Sequence, residues 1–280
     1  MPVPKLLTPK QIIVASGSGT YIVISSIAGA TLTCGNQSYT LGPNETAHAF
    51  GVEGGTYTCT ATKTDYSTAT DIVSISSGFE YVTLIPLFLP TTYQQVEYLY
   101  ADTKGQYIDT GLVPDTTYRW ELDIKYGTFS SNISYQNGVS QQAQADRFTI
   151  AALDTNTASL AMGEGQNMTC NTTARHLYAI DIPNNTMSID DSVYSFQSTY
   201  TKSANYHLLL FWRNSAGSKY SNQHVTGWIY SSKIYAGGTL IQYLVPCYRK
   251  SDLVIGMYDK VGGTFFTNAG SGTFVIGQNV

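Results

Sequence analysis

The chain has 280 residues, of which 12% are charged, and a net charge of −4 with Lys and Arg scattered along its length. The basic surface that binding to phosphate backbones requires is missing, so nucleic acid is not expected as a partner. No run of about 18 apolar residues occurs, and no membrane span is predicted.

The composition indicates an all-β protein. Hydrophobic residues make up 42% of the chain, and 22 residues are tyrosine. Aromatic and β-branched side chains favour pleated, half-buried surfaces. A dozen residues at the start, 1–12, are predicted to be a tail or linker. They contain no apolar segment of a secretory signal peptide, so folding in a cytoplasm is expected.

Residues 13–88 contain short Thr-rich segments, each about eight to twelve residues from the next, which predict a small antiparallel β-sandwich. Turn signals such as Gly35-Asn36 and Gly54-Gly55 separate them. The segments are QIIVAS, TYIVISS, ATLTCG, QSYTLG, TYTCTATK, IVSISS and YVTLIPL. The stretch GTYTCTATKTDY and the strand after it resemble the immunoglobulin-like or PEGA-like accessory modules of phage tail proteins and bacterial surface proteins.

Two of the four cysteines, Cys34 and Cys59, fall on the inward register of their predicted strands. They are expected either to form a disulfide or to remain two buried thiols, and a reducing cytoplasm favours the thiols. The four histidines lie far apart in sequence and no CxxC motif occurs, so no metal centre is predicted.

Pro86 and Pro90 cannot donate hydrogen bonds to a sheet, and they predict the end of the first domain. The boundary is placed near residue 89, with 89–92 as a linker and 93–280 as the second domain. In YRWELDIKY, Tyr118 to Tyr126, aromatic and aliphatic side chains alternate with charged ones, which predicts a strand with one packed and one solvated face.

Other segments of the second domain are typical of hairpins and of one central strand. A hairpin is predicted about Pro183-Asn184-Asn185, and another with a two-residue turn at Gly262-Gly263. HLLLFW, His207 to Trp212, is continuously apolar and predicts a strand covered on both faces.

Three motifs in the second domain carry a resemblance to a known family. YQQVEYLYADTKGQYIDTGLVP opens the domain, HLLLFWRNSAGSK lies in its middle, and GWIYSSKIYAGGTLIQYLVPCYRKSDLVIGMYDKVGGTFFTN closes it. In this order they resemble the concanavalin A-like, laminin-G-like jelly-roll domains of gut bacterial surface proteins and their phages. The resemblance implies two stacked antiparallel sheets.

Jelly rolls of this kind include laminarinase-type glycoside hydrolases, which carry Glu-x-Asp-x-Glu on one strand face. The corresponding residues here are Glu121, Asp123 and Lys125. Lysine cannot protonate a glycosidic oxygen as a carboxylic acid does, so the domain is expected not to be an enzyme. A charged, solvated strand face explains these residues better.

Carbohydrate binding remains, because the chain is rich in aromatic and planar polar side chains. Two loops combine them, Ser130 to Arg147 and Trp212 to His224, and loops at the end of a sandwich often carry function. The candidate carbohydrate-binding residues are Tyr135, Asn137, Gln141, Gln142, Gln144, Trp212, Arg213, Asn214, Tyr220 and Asn222. For Trp212, which continues an apolar strand, a place in the core is the favoured alternative.

No cofactor is predicted. Calcium stays open, because laminin-G-like folds often hold a loop calcium, but no site is assigned. The oxygen-rich group formed by Asn184, Asn185, Asp190 and Asp191 matches no calcium-loop spacing, and a solvated hairpin end explains it equally well.

The function expected from the sequence is that of a phage virion protein of the tail, fibre or head-decoration type. Its second domain would bind host surface glycan, and its first would attach to other virion proteins. Repetition of weak glycan contacts implies a homo-oligomer, and fibre analogy implies a trimer. The alternatives are a bacterial cell-surface adhesin or polysaccharide-binding module and, third, a laminarinase-like hydrolase.

Overall fold

The computed structural model describes residues 19–280 except 27, 44, 65, 67, 85–88, 103–104, 130–134, 141–145, 199 and 202–204, and it leaves the side chains of residues 83 and 218–223 undescribed. Within the described residues all extended regular elements are β-strands, which confirms the all-β prediction. No helix in these parts of the chain has the length and apolar character needed to cross a membrane. The chain divides into two compact units, residues 1–91 and 92–280. The predicted tail and the segment QIIVAS lie outside the described residues.

The N-terminal unit packs two sheets against each other. The strands among its described residues are β1 (Thr20–Ser25), β2 (Thr31–Cys34), β3 (Gln37–Thr40), β4 (Ala47–Val52), β5 (Gly55–Thr62), β6 (Ala69–Ile75) and β7 (Phe79–Thr83). One sheet has the order β4-β1-β7 and the other β3-β2-β5-β6. Ile22 and Phe50 from the first sheet share a buried core with Leu32 and Ala61 from the second.

Two features of this unit differ from the sequence prediction. Strand β4 was not predicted, because AHAFGV lacks the alternation of its neighbours and only Phe50 in it is fully buried. Strand β7 runs parallel to β1, whereas all pairs were predicted to be antiparallel. Because β7 returns to the first sheet after the β5-β6 hairpin of the second, it meets β1 in the same direction.

Cys34 and Cys59 face each other on adjacent strands of the four-stranded sheet. They are register partners of β2 and β5, and both thiols are buried. The sulfur atoms lie 3.5 Å apart and form no disulfide. Burial raises the pKa of the Cys59 thiol from 9.0 to about 12 and also raises the pKa of Cys34. Both cysteines therefore stay protonated, as small apolar core residues do.

This environment predicts slow thiol chemistry. At about pH 8, native Cys59 should react with iodoacetamide roughly a thousandfold more slowly than in the urea-unfolded chain, because each unit of pKa removes about tenfold of the reactive thiolate. Mass spectrometry of tryptic peptides measures the labelling. Since the folded pKa lies above the unfolded one, the thiol contribution to stability is complete below pH 9.0 and is lost as the pH rises towards about 12. Labelling of the native thiols at the unfolded rate would contradict their burial.

In the C-terminal unit, the described residues form nineteen strands. They are β8 (Tyr93–Gln95), β9 (Leu99–Ala101), β10 (Ile108–Asp109), β11 (Tyr118–Tyr126), β12 (Tyr135–Ser140), β13 (Phe148–Asp154), β14 (Thr157–Met162), β15 (Glu164–Thr169), β16 (Arg175–Asp181), β17 (Thr186–Ile189), β18 (Ser192–Ser195), β19 (Leu209–Leu210), β20 (Trp212–Ser215), β21 (Ser218–His224), β22 (Gly227–Ala236), β23 (Thr239–Arg249), β24 (Ile255–Asp259), β25 (Phe265–Thr267) and β26 (Val275–Ile276).

Two large sheets form a sandwich in this unit. The larger sheet has eleven strands, with the path β18-β17-β16-β11-β22-β23-β24-β25 and with β8, β9 and β26 at its flank. The smaller sheet has the order β15-β14-β13-β12-β20-β21. Trp120 of the larger sheet contacts Phe148 of the smaller one, with ring centroids 5.6 Å apart. The Tyr126 hydroxyl donates to the Ile150 carbonyl across the same interior, over 3.2 Å.

Strand β11 follows the alternation predicted for YRWELDIKY. Its inward side chains from Trp120 to Tyr126 are buried, and Arg119, Asp123 and Lys125 point outward. The Trp120 indole nitrogen donates to the Ser232 hydroxyl at 3.0 Å, so its only polar atom is satisfied in the core.

The predicted hairpins fare differently. The hairpin about residues 183–185 is confirmed, since Asp181 pairs with Thr186 and Asn185 has a φ of 53°. The two-residue turn at Gly262-Gly263 is wrong. Of the two glycines, only Gly263 has a positive φ. The loop extends from Asp259 to Thr264 because Asp259 holds it in two ways. Its carboxylate accepts a hydrogen bond from the Val261 amide, and its carbonyl accepts one from the Gly263 amide.

Within the segment HLLLFW, residues Leu208 to Trp212 are buried as predicted, but His207 is partly exposed and the segment is not one continuous strand. Phe211 adopts a φ of 67°, which breaks the segment into β19 and β20. Strand β19 pairs with β10, whereas β20 pairs with β12 and β21. A positive φ at a bulky residue is strained and requires support from its surroundings.

Candidate functional site

The first predicted binding loop provides core residues. Tyr135 is 3% exposed and Asn137 is fully buried, both on β12. The Tyr135 hydroxyl donates to the Thr128 carbonyl at 2.8 Å, and its ring packs on Phe129. The prediction that Tyr135 and Asn137 bind sugar is therefore wrong, because neither side chain reaches a surface where a ligand could contact it.

Asn137 supports the break in the apolar segment. Its Oδ1 accepts a hydrogen bond from the Phe211 backbone amide at 2.7 Å. Because Phe211 leaves the strand ladder with positive φ, its amide needs a partner other than a neighbouring strand. Asn137 supplies that partner from 74 residues away.

The second predicted loop is only partly accessible. Trp212 is 6% exposed and lies edge-on to Tyr107. It is therefore a core residue, which was the alternative interpretation, and it does not serve as a platform for a sugar. Arg213 donates to Gln136 at 3.0 Å, and the Asn214 amide donates to the His207 carbonyl at 3.0 Å. Through these hydrogen bonds, the half-buried side chains of Arg213 and Asn214 hold β20 to neighbouring segments.

The other predicted residues cannot be placed in a site. Gln141, Gln142 and Gln144 lie outside the described residues. Tyr220 and Asn222 belong to β21, but their side chains are among those left undescribed. The predicted binding residues that the structure describes thus form no common accessible surface.

The oxygen-rich group considered for calcium is occupied by protein donors. Asp190 accepts from the His176 ring at 2.7 Å and from the Leu177 amide at 2.9 Å. The Asn185 side-chain oxygen accepts from the Ser198 amide at 2.9 Å. Within the described part of the chain, no three His, Cys, Asp or Glu side chains are grouped as a metal site would require.

A different surface combines charge and aromatic rings, namely the outer face of the larger sheet. We call it the charged aromatic face. Its members are Tyr98, Tyr100, Arg119, Glu121, Asp123, Lys125, Arg175, Trp228, Tyr230, Lys233, Tyr235, Tyr243 and Lys260. They come from β9, β11, β16, β22 and β23, except that Tyr98 directly precedes β9 and Lys260 directly follows β24.

A β-bulge in β22 places these side chains on one side. Asp123 pairs with Ser231 and Ile124 with Ile229, so Tyr230 is an extra residue. Before the bulge the even-numbered Trp228 points outward, and after it the odd-numbered Lys233 does, while Ile229 and Ile234 stay in the core. Without the extra residue, one half of β22 would turn its aromatic side chains into the interior.

The two carboxylates of β11 are fully engaged with cations. Asp123 accepts a bidentate pair from Arg175, at 2.9 and 2.7 Å. Glu121 contacts Arg119 at 2.5 Å and Lys233 at 3.8 Å, and it accepts a hydrogen bond from Tyr235 at 3.4 Å. Burial, together with the nearby Glu121 carboxylate, raises the pKa of Tyr235 to about 12, so its hydroxyl remains a donor at neutral pH.

Cations lie over the aromatic rings of this face. Arg175 stacks on Tyr230 with its guanidinium carbon 3.8 Å from the ring centroid. The Lys125 ammonium lies 4.7 Å from the Trp228 centroid, and Tyr100 stacks on the same indole at 4.5 Å. Lys233 and Lys260 both approach Tyr243, at 5.1 and 5.8 Å. Such contacts are favourable and hold long cationic side chains in fixed positions.

The sequence predicted the charged residues of this surface but not its aromatic residues. The alternation in YRWELDIKY correctly predicted a charged outer strand face. The aromatic half was missed because the segment GWIYSSKIYA changes its alternation at the bulge, and a simple period of two places its Trp and Lys residues on opposite faces.

Comparisons with known proteins add little. No protein-family model and no curated protein matches the chain. One crystal structure, of a protein from Bacteroides ovatus ATCC 8483 that is described as an inferred carbohydrate binding protein, is similar to this chain. The TM-score is 0.44 and the sequence identity is 10%, and the match covers 95% of this chain and 90% of that one. At this level of similarity the match carries no argument about function or detailed fold.

The role of Asn137 can be tested by mutation. Asn137→Ala leaves the buried Phe211 amide without its acceptor and should lower the free energy of unfolding by about 1–3 kcal/mol. Urea denaturation followed by tryptophan fluorescence measures this loss. Asn167→Ala, at an exposed position on β15, is the matched control and should change stability by less than about 0.5 kcal/mol. Equal stability of the two variants would contradict the role assigned to Asn137.

Proposed function

We propose that the C-terminal unit binds carbohydrate without cleaving it, and that the ligand lies on the charged aromatic face. The observation that carries this proposal is the concentration of half-buried aromatic rings and ordered polar donors on one open sheet surface. Sugars present both apolar C–H groups and hydroxyls, so they are recognised by aromatic side chains beside fixed hydrogen-bonding groups.

The accessible donors suit hydroxyl recognition. Arg119 and Arg175 are about half exposed, at 46% and 51% of their side-chain surface, although each already contacts a carboxylate. A guanidinium has five N–H donors, so a guanidinium that is bound to one carboxylate keeps other N–H groups for a ligand. Their positions are fixed by Glu121 and Asp123, which reduces the entropy lost when a ligand binds.

The same contacts argue against hydrolysis. A retaining glycosidase needs a free carboxylate nucleophile and a carboxylic acid about 5 Å away. Here Asp123 gives both oxygens to Arg175, and the third position of the strand pattern is Lys125, which lies on Trp228. We therefore propose a binding protein, with a laminarinase-like hydrolase as the disfavoured alternative.

The finer assignments rest on the sequence resemblance. The first and last motifs similar to concanavalin A-like domains cover β8 and β9 near the start of the unit's sequence and β22 to β25 near its end. These two groups of strands lie side by side in the larger sheet. We propose that this unit is such a jelly roll and that the N-terminal sandwich is an immunoglobulin-like or PEGA-like attachment module.

We further propose a role as a phage virion protein that contacts host surface glycan. Several copies of the chain, as in a trimer, would strengthen individually weak contacts. Calcium is not assigned a role in this proposal. A bacterial surface adhesin uses the same chemistry, and the family resemblance includes such proteins. Detection of the chain in purified phage particles by mass spectrometry would distinguish the two roles.

A glycan array tests the binding proposal. The full chain should be retained on at least one immobilised glycan, and Trp228→Ala should weaken that binding by about tenfold or more, as removal of an aromatic anchor commonly does. Tyr81→Ala, at a 67% exposed tyrosine of the N-terminal unit, is the control and should bind as the unchanged chain does. Thermal unfolding checks that both variants are folded. Absence of retention on every glycan would overturn the proposal.

A second measurement separates binding from catalysis. The chain should release no reducing sugar from a panel of β-glucans, and Glu121→Gln should make no difference to that result, since Glu121 is expected to position Arg119 and Lys233 and not to react. Hydrolysis that disappears in Glu121→Gln would instead establish the enzyme.

A further inference from the structure

Two lysines of the charged aromatic face lack a carboxylate partner. Of the five cations on this face, Arg119 and Lys233 contact Glu121, and Arg175 contacts Asp123. Lys125 and Lys260 form no ion pair within 4.0 Å with any carboxylate among the described residues. Both are half-buried, so each ammonium has lost part of its water without gaining an anion.

Each of these lysines lies against an aromatic ring. Lys125 is held over Trp228, whose indole also stacks on Tyr100. Lys260 lies near Tyr243, where a second ammonium, that of Lys233, also approaches. Burial lowers the pKa of Lys260, as expected for a cation that is partly desolvated and not neutralised.

The aromatic rings of this face are already partly covered by other side chains. Trp228 has a tyrosine and an ammonium as close neighbours, and Tyr230 has a guanidinium 3.8 Å from its centroid. Stacking of a C–H-rich sugar surface on these rings would compete with contacts that are already made. Besides the rings, the face offers positive charge that the rings hold in place.

The spacing of the two lysines favours an extended ligand. Lys125 on β11 pairs in register with Trp228 on β22. Four residues earlier on β11, Glu121 pairs in register with Lys233, and Lys233 in turn pairs with Tyr243 on β23. Tyr243 is the residue that Lys260 approaches. Four residues along the strands and three strand spacings, from β11 across β22 and β23 to the end of β24, separate the backbone positions of the two lysines, which amounts to about 20 Å. This is longer than a single sugar ring, so one monosaccharide would not reach both ammonium groups.

We infer that the charged aromatic face binds an acidic polysaccharide, whose carboxylate or sulfate groups pair with Lys125 and Lys260. This inference rests on the proposed function and adds the chemical class of the ligand. The chain as a whole carries a net charge of −4 and would repel a polyanion at long range, so attraction has to come from a local surface such as this one.

The test compares glycans that differ only in charge. The full chain is applied by biolayer interferometry to immobilised polygalacturonate and its neutral methyl ester, and to dextran sulfate and neutral dextran. Laminarin and mannan serve as neutral polymers. The two acidic polymers distinguish a carboxylate ligand from a sulfate ligand, and each neutral partner shows whether the charge itself is recognised.

The variants are designed to isolate the two lysines. Lys125→Gln with Lys260→Gln should reduce binding to the acidic glycan by about tenfold or more, and added salt should weaken the binding of the unchanged chain. Lys250→Gln, at an exposed position beyond the end of β23, removes one positive charge, as each of the two substitutions does, and should have little effect. Lys125→Arg with Lys260→Arg keeps the charge and should retain binding.

The outcomes separate the inference from the proposed function. Binding to acidic members that is lost in the double glutamine variant supports both. Equal binding to charged and neutral members, or binding to laminarin or mannan alone, overturns the inference and leaves the proposed function standing. Equal binding to single-stranded DNA of similar charge would overturn the assignment to a polysaccharide. Retention on no glycan overturns both.

Discussion

The central constraint on the C-terminal unit is the position of β11 between β16 and β22. Its inward side chains fill the interior of the sandwich, so a slip of one residue in its register would bring Glu121 and Asp123 into the core and expose Trp120. The cost of burying two carboxylates without partners makes that slip prohibitive. Every outward position on the neighbouring strands is therefore fixed relative to this one strand.

With the register fixed, the outer face is organised by pairing of opposite charges across strands. Asp123 on β11 aligns Arg175 from β16, and Glu121 aligns Lys233 from β22. The cations of these pairs are one-third to one-half exposed, whereas the carboxylates are largely buried, so the carboxylates depend on the pairing to offset their lost hydration. The significance of the pairs is also geometric, because they hold long cationic side chains at defined distances from the aromatic rings. A ligand then meets a surface that is already ordered.

Much of the fold could be predicted from the sequence, because strands reveal themselves by a period of two and by turn residues. The outward and inward residues of β11 and the hairpin at 183–185 are examples. The exceptions are places where the chain departs from regular geometry. Tyr230 shifts the alternation of β22 by one residue, and Phe211 interrupts an apolar run that otherwise reads as a single strand.

The candidate site was harder to predict for the same reason. Loops rich in Tyr, Asn and Gln suggested a surface, but Tyr135 and Asn137 lie in strand β12 and are used inside the protein. No local pattern indicates that Asn137 has a backbone partner 74 residues away. Likewise, the meeting of Lys125 with Trp228 depends on a strand pairing between distant parts of the chain.

That distance along the chain has a consequence for how the protein reaches its folded state. Trp120 and Ser232, which share a hydrogen bond between β11 and β22, are separated by 112 residues. On the ribosome, β11 emerges long before its partner has been synthesised, and its edge has to wait without the neighbour that completes the sheet. Non-local pairing of this kind folds slowly, and it leaves apolar strands open to association with other nascent chains. We therefore expect the yield of folded protein to depend on growth temperature and on chaperones that shield such strands during synthesis.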